Sequence, residues 1–413
     1  MKAVYFEESI PRYLISKLFG RISPSFYYNV FSCIRYGDIS EPKLPNENWV
    51  KIKTIMGGIC GSDINLIRLH DSPSTSPFAS FPFVIGHENL GIIVEKGENV
   101  KEFNIGDRVI ADPVLSCSAR DINPLCDNCQ KGNFSQCRNF TKGSISPGFM
   151  IGSCKDTGGS WGEYYVAHKS QLFKVPEKVK NENAILVDAF CSALHPVIRN
   201  FPKDSDKVLV VGAGSIGINV VSSLRALGSK ARIIVLARYK YQGEFAKHYG
   251  ASEVIYSKGL SKKELYKKVA DEVGGEMLQP ILGKPILVGG ADVVFECVGT
   301  DDSIDDALRF TNMGGKLVMV GLVGETKKVD WTPLWFKELK VFGTNSSAEE
   351  EFNGEKKRCY QIALELMEKG LDLSPLLTHT FPLRDYKKAI EMNFKRSKYG
   401  MVKSAFKFEE PQI

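Results

Sequence analysis

The apolar positions of this chain fall into two rhythms. Short, β-branched, almost continuously apolar runs occur at 207–211, 231–236, 291–298 and 316–320, several closing on glycine, as strands buried on both faces of a parallel sheet read. Residues 218–227 form a helical segment ended by Gly228. This stretch predicts an α/β domain. Before it, strand-like runs stand at 50–56, 81–85 and 161–166; after it, 354–370 predicts an amphipathic helix with Ile362, Leu366 and Met367 inward. Boundaries fall near Asp188, where a helix follows Pro176, and near the polar 344–347, which divides the chain into 1–187, 188–345 and 346–413. No internal repeat or low-complexity segment appears.

The run at 207–211 is followed at once by Gly212-Ala213-Gly214-Ser215-Ile216-Gly217. Gly212 permits a tight turn, Gly214 lets backbone approach a pyrophosphate, and Gly217 lets the helix pack close on the strand. The helix N-terminus offers free N–H groups to phosphates. The following strand carries no terminal carboxylate to read a ribose 2′-hydroxyl; it ends Ala237-Arg238-Tyr239-Lys240. A small residue with two cations suits a 2′-phosphate, so NADP(H) is expected over NAD(H), with Arg238 and Lys240 reading the phosphate. The glycine-ended run through Val298 is expected to face the same cofactor.

Composition narrows the partners. The chain has 413 residues and a net charge of +6, from 54 basic and 48 acidic residues, with no concentrated basic stripe, so nucleic acid is not expected. No apolar stretch is long enough to span a bilayer and no signal-peptide core opens the chain, so a cytoplasmic protein without a membrane partner is expected. Ten cysteines are then read as reduced thiols and, where grouped, as metal ligands. Cys117, Cys126, Cys129 and Cys137 lie on a Pro- and Gly-studded loop near 113–140 and can close a tetrahedral structural zinc site. A second, dispersed group follows the early strands: Cys60 in Cys60-Gly61-Ser62-Asp63, and His87 beside Glu88. Asp63, a turn after the thiolate, is placed to orient a metal-bound His87. A catalytic zinc needs a third protein ligand and one open position.

These motifs together resemble the zinc-dependent medium-chain alcohol dehydrogenases, in particular the polyol and threonine dehydrogenase branch, over residues from about 36 to the C-terminus. The resemblance implies an α/β protein with a GroES-like, β-rich catalytic domain, an inserted Rossmann domain and a C-terminal return to the first. It implies two zinc ions per chain and a nicotinamide cofactor. Cys60 and His87 become catalytic zinc ligands with Glu88 beside them. The third ligand is Asp188, followed by His195, with Cys191 as the competitor. Ser62 takes the alcohol proton, Lys403 lies near the pyrophosphate, and a homodimer or homotetramer is expected.

Three features depart from the family. Asn65 stands where a relay histidine is usual, with His70 as an alternative; eight residues separate Cys117 from Cys126; and an aromatic-rich segment, 10–33, follows the first strand. That segment reads as a cleft lid, an oligomer contact or a packed insertion. The expected activity is hydride transfer between the cofactor and an alcohol, polyol or hydroxy amino acid, or the matching carbonyl. The alternatives are a nucleotide-binding protein without redox turnover, and a lyase or epimerase that returns hydride to the same substrate.

Overall fold

The computed structural model describes residues 1–409. The chain divides into two compact units, Met1–Asp188 with Ser347–Ile413, and Ala189–Ser346.

The first unit is built on a mixed sheet in the order Leu377–Phe381, Lys403–Lys407, Trp49–Ile59, Asn89–Lys96, Arg108–Ala111, Leu172–Lys174, with Tyr164–His168 also paired to Trp49–Ile59. A smaller sheet joins Ile34–Asp38, Lys2–Phe6 and Phe83–Val84. The long strand Trp49–Ile59 is central because it is apolar on both faces, buried from Ile55 to Ile59. Its register sets the site: Ile59 pairs with Ser404, and Gly57 with Asn89. The end of one strand therefore meets the beginnings of two others, and Cys60, Glu88 and Lys403 emerge at one edge of the sheet.

In the second unit six parallel strands run in the order Glu253–Tyr256, Arg232–Ala237, Lys207–Val211, Ala291–Glu296, Thr311–Met319, Lys340–Gly343. Chain order reverses between Lys207–Val211 and Ala291–Glu296, so the crevice beyond their C-terminal ends is the place where doubly wound sheets bind nucleotides. An antiparallel hairpin, Glu276–Leu278 with Ile286–Val288, is inserted ahead of the fourth strand.

The expected elements shift at their ends. The helix after the glycines begins at Ser215, not 218, because the motif itself supplies its first turn. The strand expected at 81–85 shrinks to Phe83–Val84, and that at 161–166 moves to Tyr164–His168. The amphipathic helix expected over 354–370 covers only Cys359–Glu368. Residues before it form a hairpin, Glu349–Phe352 with Glu355–Arg358, turned by Asn353 and Gly354, both at positive φ. An Asn-Gly pair is the preferred sequence for such a two-residue turn. With the helix starting later, Leu364 is buried where Leu366 was expected, while Ile362 and Met367 do point inward.

Candidate metal centre and dinucleotide cradle

Cys60 closes the central strand and serves as N-cap of the helix Gly61–Ile67. The helix starts there because Asp63, three residues on, accepts the Cys60 backbone N–H at 2.8 Å. The other oxygen of the same carboxylate lies 3.4 Å from His87 Nδ1. One side chain thus fixes the thiol-bearing backbone and the imidazole together, the second role read from the sequence. With Nδ1 turned to Asp63, Nε2 faces Asp188, whose Oδ2 is 4.0 Å away. Asp188 lies in the first turn of the helix Val187–Arg199. The phenol of Tyr360, on the helix Cys359–Glu368, donates to its Oδ1.

Ligand atoms of Cys60, His87 and Glu88 all lie within 4.8 Å of one another. Two ligands about 2 Å from one ion at a tetrahedral angle stand roughly 3.3 Å apart, so this set with Asp188 fits a zinc ion. The electrostatics agree. Burial lowers the pKa of His87, but the Asp63 carboxylate and the Cys60 thiolate outweigh it and the imidazole is held protonated well above its ordinary range. Burial pushes Asp188 up to about 6 against the opposing pull of His87. A cluster of acceptors that recruits protons in this way is short of a cation. Glu88 Oε2 is buried with no hydrogen-bond partner, the orphan acceptor such a centre leaves.

Glu88 Oε1 is paired with Lys403, and both side chains are buried. Lys403, expected beside a pyrophosphate, is instead committed to this carboxylate, because strand register brings position 403 to Glu88. Ser62 sits half-buried in the first turn after Cys60. Asn65 is half-buried on the same helix, and its carbonyl accepts the backbone N–H of an exposed His70. Cys191 lies one turn beyond Asp188 on its helix, buried in the second unit.

Four further thiols, Cys117, Cys126, Cys129 and Cys137, also gather within 4.8 Å of one another. Asn139 donates its backbone N–H to Cys137 Sγ at 3.3 Å and its side-chain amide to Cys117 Sγ at 3.2 Å. A hydrogen bond from Cys129 pushes the Cys137 thiol down to about 5. The same contact raises Cys129, and burial raises Cys117, so the four sulfurs share protons that a bound cation would replace. The long spacer after Cys117 houses Arg120, fully buried, whose guanidinium donates to the carbonyls of Leu115, Lys142, Ile145, Ser146 and Gly148. That staple accounts for the enlarged lobe and had no signal in the sequence. All ten cysteines are free thiols.

In the second unit Gly212 adopts φ +98, and a Cβ there would meet Val298 Cγ2 at 2.3 Å. A Cβ on Gly217 would lie 1.8 Å from the Gly212 carbonyl oxygen, so the helix packs on the strand as closely as glycine alone allows. At Gly214 a Cβ would meet nothing within 4 Å. That open space fronts the N-terminus of the helix Ser215–Ala226, where Ser215 Oγ is buried without a partner and Ile216 is half-buried. Room, an unpaired hydroxyl and free helix N–H groups fit a dinucleotide pyrophosphate. Arg238 and Lys240 follow the second strand, both exposed; Lys240 lies 3.8 Å from Glu244 and the Arg238 guanidinium 5.9 Å from the Tyr239 ring.

Residues 46–177 match the alcohol dehydrogenase GroES-like domain, and residues 215–367 the zinc-binding dehydrogenase domain. The L-threonine 3-dehydrogenase of Alteromonas mediterranea is 30% identical over 355 residues, which make up 86% of this chain and 91% of that enzyme. The L-threonine 3-dehydrogenase of Paraburkholderia phymatum is 29% identical over 352 residues, 85% and 90% of the two chains. The crystal structure of 2R,3R-butanediol dehydrogenase from Bacillus subtilis shares the fold, with a TM-score of 0.70 at 24% identity over 99% of each chain. A GroES-like sheet edge bearing ligand side chains, a Rossmann sheet and these relatives converge: the chain belongs to the zinc-dependent medium-chain alcohol dehydrogenase family and is an enzyme of the NAD(P)-dependent alcohol dehydrogenase type.

Proposed function

We propose that this enzyme transfers hydride between NADP(H) and a polar secondary alcohol, polyol or hydroxy amino acid, or the matching carbonyl, at a zinc ion held by Cys60, His87 and Asp188. The observation that carries the reading is the meeting of the Cys60, His87 and Glu88 ligand atoms within 4.8 Å of one another, with Asp188 Oδ2 4.0 Å from His87 Nε2, so that three separate segments contribute. Zinc bound there supplies Lewis-acid polarisation of the substrate oxygen. Asp63 holds the His87 ring with Nε2 toward the ligand set. Ser62 relays the hydroxyl proton of the alcohol, accepting it as its own hydroxyl proton passes outward to water. Lys403 neutralises Glu88 and so keeps that carboxylate beside the ligand set at a tolerable electrostatic cost. Cys117, Cys126, Cys129 and Cys137 would hold a second zinc, a closed set of four sulfurs with no place for substrate.

Preference for NADP(H) rests on the missing carboxylate after Ala237 and on the exposed cations Arg238 and Lys240, the latter in a loose surface pair with Glu244 that a 2′-phosphate would compete with. The polar substrate class rests on the carboxylate at 188 and on the likeness to L-threonine 3-dehydrogenases. The test is nicotinamide reduction by the zinc-loaded enzyme with threonine, polyols and secondary alcohols, using NADP and NAD in parallel. Turnover favouring NADP, and loss of that preference in Arg238→Ala by about 10–100-fold as one charge-assisted contact goes, is the expected result. Clear substrate consumption without net cofactor reduction would shift the assignment to a lyase or epimerase.

A further inference from the structure

The segment after the first strand inverts the usual amphipathic order. The helix Ile10–Phe19 buries only Ser16, whose hydroxyl donates to the Phe26 carbonyl. Outward, at steps of four, stand Ile10, Leu14, Leu18 and, past the helix, Ile22, exposed by 72%, 59%, 66% and 80%. Such spacing lays an aliphatic stripe along one face, and exposed Val30 and Phe31 add to the apolar surface of the segment. Single exposed leucines are ordinary; a helix that points its only buried side chain, a serine, inward and its aliphatics outward is not.

Charge decides what covers the stripe. From Ser9 to Gly37 the chain carries Arg12, Lys17, Arg21 and Arg35 and no Asp or Glu. Glu7 answers Arg12 and Arg35. Arg21 and Lys17 have no carboxylate partner among the described residues, Lys17 donating instead to the Leu69 carbonyl at 2.7 Å, and with Arg68 they crowd His70, whose pKa is lowered first by partial desolvation and then by these three cations. Packing the stripe against a second copy of itself would set Lys17 and Arg21 against their own counterparts, with no acid in the segment to answer them. An anionic surface answers them directly. We infer that the segment 10–31 is an interfacial anchor that lays Ile10, Leu14, Leu18 and Ile22 into the headgroup layer of an anionic bilayer, with Lys17 and Arg21 on the lipid charges. No helix among the described residues is long and apolar enough to cross a membrane, and surface docking needs none. The expectation of no membrane partner rested on the lack of a spanning stretch, which does not bear on surface docking.

The test is co-sedimentation of the full-length, zinc-loaded protein with phosphatidylcholine vesicles, with and without about a third phosphatidylserine, at low and high salt. Binding to the anionic vesicles only, weakened by salt, is expected. Lys17→Gln/Arg21→Gln lowers the partition coefficient roughly thirtyfold, and Leu14→Ser/Leu18→Ser abolishes binding, while both retain wild-type alcohol turnover. Failure of the wild type to bind either vesicle overturns the inference. So does a drop in solution mass in Leu14→Ser/Leu18→Ser, which would make a second copy the occupant.

Discussion

Tyr360 donates its phenolic hydrogen to Oδ1 of Asp188 and leaves Oδ2 facing His87 Nε2. The two residues are 172 positions apart, and the bond ties the returning C-terminal segment to the third proposed zinc ligand. The Tyr360 ring is held independently by stacking on Phe173, with ring centroids 5.3 Å apart. Tyr360→Phe therefore keeps the ring on Phe173 and removes the bond to Asp188. Zinc release to a chelator should quicken by about 10–100-fold, the usual effect of losing a group that orients a metal ligand, with circular dichroism unchanged. Release at the wild-type rate would show that Asp188 is oriented without Tyr360.

The glycine triad allows a sharper separation. Gly217→Ala drives a methyl into the Gly212 carbonyl and should lower the thermal midpoint of the protein, because backbone cannot step aside. Gly214→Ala meets no protein atom. It should leave the midpoint nearly unchanged yet weaken NADP binding, read by fluorescence titration, by at least about tenfold, since the methyl fills room reserved for phosphate. Equal losses of stability in the two variants would contradict the division of labour between them.

What could be read from the chain was chemistry packed into short strings. Cys60 with Asp63, His87 with Glu88, the four-cysteine loop and Gly212 to Gly217 each announce themselves because ligands and phosphate cradles constrain residue type within a few positions. Interactions made by the fold were invisible. Lys403 reaches Glu88 across 315 positions only because Ile59 pairs with Ser404, and without that register its cation was read toward the pyrophosphate. Tyr360 and Arg120 carry no local pattern at all. The hairpin ahead of Cys359 did have a signal, Asn353-Gly354, which the apolar periodicity of the following helix masked.

Acid should destabilise the first unit through His168. Its ring is buried, with Ser170 Oγ 2.8 Å from Nδ1 and Trp49 edge-on at 5.7 Å, and burial pushes its pKa down to about 4. Between that value and the ordinary value near 6.5 the unfolded chain binds a proton that the folded one does not, so stability falls as pH drops through this window. The loss by pH 4.5 amounts to about 2–3 kcal/mol. His168→Asn should flatten the fall in unfolding midpoint between pH 7 and 4.5, and an equally steep fall in the variant would place the acid sensitivity elsewhere.

The Lys403–Glu88 pair sets stability against site architecture. Their side chains are 5% and 1% exposed, so neither charge has water to fall back on. Lys403→Met strands a carboxylate in the sheet edge and should cost about 3–5 kcal/mol in urea unfolding of the zinc-free protein. Lys403→Met with Glu88→Leu removes both charges and should cost markedly less than the single change, because an apolar pair of similar size replaces a buried ion pair with little penalty. A double-mutant cycle reads the coupling directly. Strict additivity of the two substitutions would mean that the ion pair contributes nothing, and that Glu88 is held in place by the Gly58 backbone packed against it rather than by Lys403.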